Sequence, residues 1–255
     1  MSGSPARREG IARLSKGKTM SFQDSLRPAR RAVLLGAVCL ALAAAAPFAS
    51  AAQRALRLQP FSSLELDVPA RYVIREGNAA SALIRGDSEV IDRIVFEQHD
   101  DGVQVYVPGS ITIQGQLVIE ITTVDLKELV VNGAGHVEAH GFTGSKFSLR
   151  LSGAPEVKLT ALDVDKLRVD MQGSGSVEAS GRASDERMKI AGSGEYHAAD
   201  LAADEVDVKL DGSSNVQVMA RERLYVRMSG SGSVRYRGEP KLSKSIDGSG
   251  SVERM

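Results

Sequence analysis

The sequence predicts an all-β protein, a parallel β-solenoid (β-helix-like repeat) of about 19–20 residues per coil that follows a more irregular N-terminal β segment. The first observation is a glycine turn that recurs at spacings of 20, 20, 19, 20, 18 and 18 residues. The second is a period-2 alternation of apolar and polar residues around each turn. The turns begin at Gly133, Gly153, Gly173, Gly192, Gly212, Gly230 and Gly248.

Alignment on the first glycine of each turn places similar residues at the same offset. Four residues after the glycine stand Val137, Val157, Val177, Tyr196, Val216, Val234 and Val252. Two residues before it stand Val131, Leu151, Met171, Ile190, Leu210, Met228 and Ile246. In a parallel stack these residues would lie ~4.8 Å apart and form a continuous core. A β-sandwich of hairpins is the alternative architecture, since hairpins of similar length also alternate.

The glycines themselves have a structural explanation. A sharp corner repeated on every coil needs a positive φ or a close backbone approach, which glycine supplies at little cost. A phosphate-binding loop would need a helix after the glycines, whereas here a strand follows. The outward series five residues after the glycine also mostly avoids like-charged neighbours: Glu138, Lys158, Glu178, His197, Gln217, Arg235 and Glu253.

Residues 1–51 are predicted to be a secretory signal peptide with an N-terminal extension. Arg27, Arg30 and Arg31 precede an uncharged apolar run over 32–47, and Ala49-Ser50-Ala51 resembles a cleavage site. Met20 is the hypothetical true start, and an uncleaved anchor is the alternative. Residues 52–60 are then predicted to be a linker.

Residues 61–121 are predicted to form the N-terminal β segment, and 122–255 the repeat. Short alternating runs such as Leu64–Val68 and Val103–Val107 indicate half-buried strands. Ser88–Ile91 could form one helical turn with Ser88 as its cap.

Composition excludes several function classes. Thirty-two basic and 32 acidic residues cancel, so the chain lacks the net positive charge that is typical of nucleic-acid binding. Aromatic residues make up 4% and Trp is absent, which argues against a wide sugar-stacking platform. The one cysteine, Cys39, lies in the apolar run of the signal. The mature chain therefore offers neither a disulfide nor a thiolate.

No catalytic, cofactor-binding or metal-binding residue is predicted. His136 and His140 would stand about 13 Å apart on one strand, too far to share a zinc ion. Calcium-binding β-rolls need aspartate in a Gly-rich repeat, and this position holds Ser176, Ser233 or Ser251, or Glu195 in one coil. Incidental calcium sites are conceivable in two acidic turns, which contain Asp163, Asp165 and Asp170, and Asp200, Asp204 and Asp207.

The segments Phe61–Pro69, Asp101–Val107 and Leu129–Gly135, together with the serial Ser-Gly-Ser-Gly-Ser-Val units, resemble the head GIN domain family, described as a putative auto-transporter adhesin. The resemblance covers about 61–252 and implies an exported, all-β, solenoid-like domain of unknown biochemical activity. It implies no catalytic residues.

These features predict a non-enzymatic, adhesin-like binding module of the cell envelope, periplasmic or extracellular at the cell surface. Its partner would be an envelope component, a glycan or a protein surface, and the mature chain would have no membrane span. Four residues before the glycine every earlier unit has an apolar residue, whereas the last unit has Lys244. Self-association through the C-terminal coil is therefore a further hypothesis. The alternatives are a carbohydrate-active β-helix enzyme and a structural or assembly element of the envelope.

Overall fold

A computed structural model describes residues 52–113 and 115–255, so the predicted signal peptide over 1–51 lies outside the described residues. The described part contains seventeen strands and one short helix. Their bounds are β1 Ala52–Arg57, β2 Ser63–Leu66, β3 Arg71–Glu76, β4 Ser81–Gly86, α1 Ser88–Ile91, β5 Val95–His99, β6 Gly102–Tyr106, β7 Val118–Thr123, β8 Glu128–Gly133, β9 His136–His140, β10 Thr143–Gly153, β11 Glu156–Gly173, β12 Ser176–Gly192, β13 Glu195–Gly212, β14 Asn215–Gly230, β15 Ser233–Arg237, β16 Lys241–Gly248 and β17 Ser251–Arg254.

The predicted parallel β-solenoid is confirmed, with the register that the glycine alignment gives. Strands β11 to β14 each begin after one glycine turn and end at the next, and each pairs in parallel with the strand or strands of the next coil. The valine series pairs residue by residue from Val137 to Val252, with Tyr196 in place in the middle. The β-sandwich alternative is therefore wrong, because these neighbours are parallel.

The glycine corners stack backbone on backbone. The first glycines have φ from +88° at Gly133 to +131° at Gly248. A Cβ added at Gly173 would lie 2.2 Å from the carbonyl oxygen of Gly153 on the preceding coil. Any side chain here would push two coils apart, so the repeat keeps glycine for packing as well as for conformation.

The N-terminal β segment continues the stack out of chain order. The coil made by β2 and β3 lies between the coil of β6 and β7 and the coil of β8 and β9, and all six strands are parallel. The remaining strands are antiparallel: β4 pairs with β7, β1 with β4, and β5 with β6. These three strands close the N-terminal end of the stack.

The prediction of a linker over 52–60 is wrong for Ala52–Arg57, which form strand β1. This strand lies on the edge, and its apolar Ala52 and Leu56 are only half-buried. Arg54 strengthens the attachment, since its guanidinium donates to the carbonyl oxygens of Ile91 and Ile94 at 3.1 and 2.9 Å. Backbone pairing to a preformed edge leaves little trace in hydrophobic periodicity.

The short helix α1 is present, but its predicted cap is wrong. Asp87 is the N-cap, and its carboxylate accepts a hydrogen bond from the amide nitrogen of Glu89 at 2.8 Å. Both Asp87 and Ser88 are residue types that cap helices, so the sequence alone did not separate them.

The core is a column of apolar ladders with one carboxyl group inside it. Glu186 is fully buried and occupies a ladder position between Leu167 and Val206. The hydroxyl of Tyr196 donates to its Oε1 at 2.7 Å, and its Oε2 has no partner among the described residues. Burial raises the pKa of Glu186 from its ordinary 4.5 to about 8, although the hydrogen bond from Tyr196 partly opposes this. The core therefore contains a carboxyl that is protonated at neutral pH.

The last coil has a different interior from the others. Lys244 pairs with Val226 at a position that is apolar in every earlier repeat, and both Lys244 and the neighbouring Leu242 are exposed. In the described residues β16 pairs with β14 and β17 with β15, each along one edge. An inward-pointing lysine on such an edge disfavours the addition of a further strand.

We expect alanine substitutions along the glycine ladder to separate conformational strain from steric clash. Gly133→Ala should cost about 1–2 kcal/mol of unfolding free energy, because its φ is +88° but no atom lies within 4 Å of the added Cβ. Gly173→Ala should cost about 4 kcal/mol or more, because it adds the clash with Gly153. Urea denaturation measures both. Equal losses would contradict the stacking explanation.

We expect Glu186→Gln to change the pH dependence of stability. In the wild type the unfolded carboxyl ionises above pH 4.5 and the folded one only above about 8, so unfolding releases a proton between these values. The wild-type unfolding free energy should therefore fall relative to the variant by up to about 1.4 kcal/mol per pH unit across this window. Urea midpoints from pH 4 to 9 test this. The exposed Glu253→Gln is the control, and parallel curves for wild type and Glu186→Gln would contradict the expectation.

Candidate functional site

The outward side chains of the strands that end at the glycine corners form one flat surface, here called the pre-glycine face and defined over 146–227. Because successive coils are in register, each offset from the glycine gives a column of side chains along the stack. Nine basic and four acidic side chains occupy the columns three, five and seven residues before the glycine. They are Lys146, Arg150, Lys166, Arg168, Arg187, Lys189, Lys209, Arg223 and Arg227, and Asp170, Asp185, Glu205 and Asp207.

Seven of these cations form a continuous diagonal, here called the basic stripe. Each is adjacent to the next, either across paired coils at ~4.8 Å or two residues along one strand at ~7 Å. The pairings across coils join Lys146 to Lys166, Arg168 to Arg187, and Lys189 to Lys209 and then Arg227. The stripe in order is Lys146, Lys166, Arg168, Arg187, Lys189, Lys209 and Arg227.

The stripe places like charges directly opposite one another, which is destabilising in a sheet. Two members are neutralised: Arg187 binds Asp185 at 2.9 Å, and Arg227 binds both carboxylate oxygens of Asp207 at 2.9 and 3.0 Å. The other five have no ion-pair partner among the described residues: Lys146, Lys166, Arg168, Lys189 and Lys209. All five are exposed, so the stripe is available to a soluble anion.

Acidic and aromatic side chains border the stripe. Asp170 lies opposite Lys189 on one side, and Asp207 lies opposite Arg187 on the other. Between them is a shallow groove of about 160 Å³, lined mainly by charged side chains of the stripe and these two aspartates. Tyr225, which is 42% exposed, follows Asp207 in the same column. The face thus combines cations, hydrogen-bond acceptors and one aromatic ring.

The strand segments that follow each glycine turn have a different charge pattern. Between Glu138 and Glu195 their outward positions contain alternating acids and neutral groups, with Lys158 bound to both carboxylate oxygens of Glu178 at 2.9 Å. The column of the outward series predicted from the sequence is confirmed in register, from Glu138 to Glu253. The avoidance of like charges holds on this face and fails on the pre-glycine face.

The two histidines weighed as zinc ligands have separate partners. His136 lies between Glu156, at 3.0 Å from its Nδ1, and Glu138, at 3.3 Å from its Nε2. His140 contacts the hydroxyl of Thr160 at 2.9 Å. Residues 52–113 and 115–255 contain no group of three or more His, Cys, Asp or Glu side chains arranged to hold a metal ion.

The acidic turns weighed as calcium sites are bound by arginines from neighbouring coils. Arg182 donates to both carboxylate oxygens of Asp163, and these hydrogen bonds hold the pKa of that carboxyl below its usual range. Arg237 binds Asp200 at 3.2 Å, and Arg221 lies 3.6 Å from Asp204. The contacts of Arg182 and Arg221 join adjacent coils, and the contact of Arg237 with Asp200 spans two coils.

Paired carboxylates of the kind that glycosidases use occur once on the pre-glycine face. Asp185 and Glu205 are direct neighbours on adjacent coils. Each is occupied by an arginine, Asp185 by Arg187 and Glu205 by Arg223. A glycosidase carboxyl must be free to reach the glycosidic bond of the substrate, whereas both of these carboxylates are engaged by guanidinium groups. This pair is therefore poorly arranged for that role.

No helix in the described part of the chain is long and apolar enough to cross a membrane. Sequence reasoning missed the basic stripe as a candidate site. The sequence did contain a pattern that could have revealed the stripe. The same glycine alignment that gave the core ladders also lines up its lysines and arginines three, five and seven residues before each glycine.

The fold is shared with solved structures. A putative adhesin from Bacteroides fragilis is 21% identical, with a TM-score of 0.77 over 82% of this chain and 99% of that one. A putative lipid binding protein from Parabacteroides distasonis is 22% identical, with a TM-score of 0.65 over 81% and 97%. A putative adhesin from the same species is 20% identical, with a TM-score of 0.67 over 80% and 96%. Likeness at these identities shows the fold alone.

The family model described as putative auto-transporter adhesin, head GIN domain, matches residues 60–240. The chain belongs to this family, as the resemblance in its repeat predicted. No curated protein matches the chain.

We expect the end of the basic stripe to gain stability when its charge is changed. Lys146 is opposite Lys166, so Lys146→Gln should remove a repulsion and Lys146→Glu should replace it with an attraction. The unfolding free energy should rise by about 0.5 kcal/mol for Glu, and by less for Gln, at low salt. Denaturation in 20 mM and 1 M salt tests this, because screening should abolish both gains. A gain that persists at 1 M salt would contradict the electrostatic origin.

Proposed function

We propose that this protein is an exported, non-enzymatic, adhesin-like binding module of the cell envelope. The observation that carries the proposal is the basic stripe, a diagonal of seven cations on a flat face, five of which have no ion-pair partner among the described residues. A solenoid surface fixes the spacing of these side chains through its backbone register, so little backbone freedom is lost on binding.

The family and the sequence support the same function. The family description and two of the three structural relatives above refer to adhesins, and the third refers to lipid binding. The basic, apolar and small-residue segments within residues 1–51 support export. A binding function uses the exposed stripe directly, whereas the enzyme alternative would depend on the arginine-bound pair Asp185 and Glu205.

Fractionation and cosedimentation test the proposal. The full chain, detected by antibody in its native host, should appear in the periplasm, at the cell surface or in the medium. The purified protein should cosediment with envelope fragments from that host, and heat-denatured protein at equal concentration is the control for nonspecific pelleting. Retention in the cytoplasm, or no cosedimentation above the control, would contradict the proposed function.

A further inference from the structure

We propose that the basic stripe binds an acidic polysaccharide, a chain that presents both carboxylate groups and free hydroxyls. The inference deepens the proposed binding function and rests on it. It names the chemical class of the ligand and the residues that select it.

The first argument is the arrangement of charge. Lys189 lies opposite Lys209 and Lys146 lies opposite Lys166, and none of these four lysines has an ion-pair partner among the described residues. Such neighbours repel one another in the free protein. Carboxylates placed between them would relieve this repulsion, so the arrangement is unfavourable for the free fold and favourable in a complex with an anion.

The second argument is the shape of the stripe. From the coil of Lys146 to the coil of Arg227 the stack rises four rungs, about 19 Å at ~4.8 Å per rung. Over this distance the stripe also crosses the face diagonally, from the column seven residues before the glycine to the column three residues before it. A diagonal of this length on a flat, exposed sheet fits an extended chain with repeated negative groups better than a single small anion.

The third argument distinguishes a polysaccharide from other polyanions. Asp170 and Asp207 line the groove beside the cations, where their carboxylates can accept hydrogen bonds from sugar hydroxyls. A phosphodiester or polyphosphate chain has few such donors and would be repelled by both aspartates. Tyr225 adds a ring with an apolar face and a polar tip, against which a sugar ring can pack.

A membrane surface is a poorer match. Binding at the lipid interface usually combines basic residues with several large apolar side chains that insert among the acyl chains. The pre-glycine face as described has Tyr225 as its one exposed large side chain of that kind. Its carboxylates would also meet the negative charge of anionic lipids.

The test uses the full chain, with polygalacturonate as the probe and neutral dextran as the uncharged comparison. The stripe variant is Arg168→Gln/Lys189→Gln/Lys209→Gln, which removes cations that have no ion-pair partner among the described residues. The matched control removes three exposed cations outside the pre-glycine face that likewise have no ion-pair partner among the described residues: Arg57→Gln/Arg75→Gln/Arg235→Gln. Circular dichroism and urea midpoints establish that both variants fold.

We expect the stripe variant to lose at least tenfold in affinity for polygalacturonate, and the control to stay within about threefold of the wild type. The dependence of affinity on salt should also become shallower in the stripe variant, because fewer counterions are displaced on binding. Dextran should not bind any of the three proteins. Equal losses in the two variants, or no polygalacturonate binding by the wild type, would overturn the assignment of the stripe.

Competing polyanions distinguish the ligand class. Polyphosphate, duplex DNA and vesicles of anionic phospholipid are titrated at the same ionic strength. Tighter binding of any of them than of polygalacturonate would overturn the polysaccharide assignment. Tyr225→Ala should weaken polygalacturonate binding several-fold and leave polyphosphate binding unchanged, and equal effects on both would also count against it.

Envelope cosedimentation separates this inference from the proposed function. If wild type and stripe variant cosediment equally, the stripe is not the binding surface, while the envelope-binding function stands. If the wild type does not cosediment, the proposed function itself fails. Loss of cosedimentation in the stripe variant alone supports both.

Discussion

In-register stacking of parallel coils is the constraint on which the rest of this structure depends. At the corners the coils approach so closely that a Cβ at Gly173 would overlap the carbonyl oxygen of Gly153. Backbone hydrogen bonds between coils set the height of each rung at ~4.8 Å, and glycine lets the corner keep that height, so the valine and leucine ladders pack against one another. The small residues at the corner and the branched residues inside are therefore two parts of one packing requirement.

The same register explains an exception in the core. Tyr196 replaces valine in its ladder, and its hydroxyl reaches Glu186, which replaces leucine in another. Each polar group would be costly to bury alone, because it would lose its hydrogen bonds to water. Together they satisfy each other in part, and Glu186 avoids most of the remaining cost by keeping its proton. Because each coil of a solenoid contacts only its neighbours, such a polar pair alters the packing of two or three coils and leaves the rest of the core unchanged.

Register also controls the surface, where it can act against stability. On the face that begins after the glycine, acids and bases alternate or are separated by neutral groups, and Lys158 binds Glu178. On the pre-glycine face, cations lie directly opposite cations in four pairs along the diagonal. The fold itself does not need that pattern, since the other face avoids it. Function is the simplest reason for a charge arrangement that opposes stability.

The sequence by itself determined the repeat, the register and the interior of the coils, from Leu129 and Val131 to Val234, because one alignment on the glycines is enough to superimpose every coil. It also contained the columns of the basic stripe. The equal totals of 32 basic and 32 acidic residues gave no sign of them, because a total does not record where the charges lie. Only the tertiary structure decided the N-terminal end. There β2 and β3 insert between two later coils, and β1 adds to an antiparallel edge. These pairings join segments about 25–65 residues apart, which no local period records.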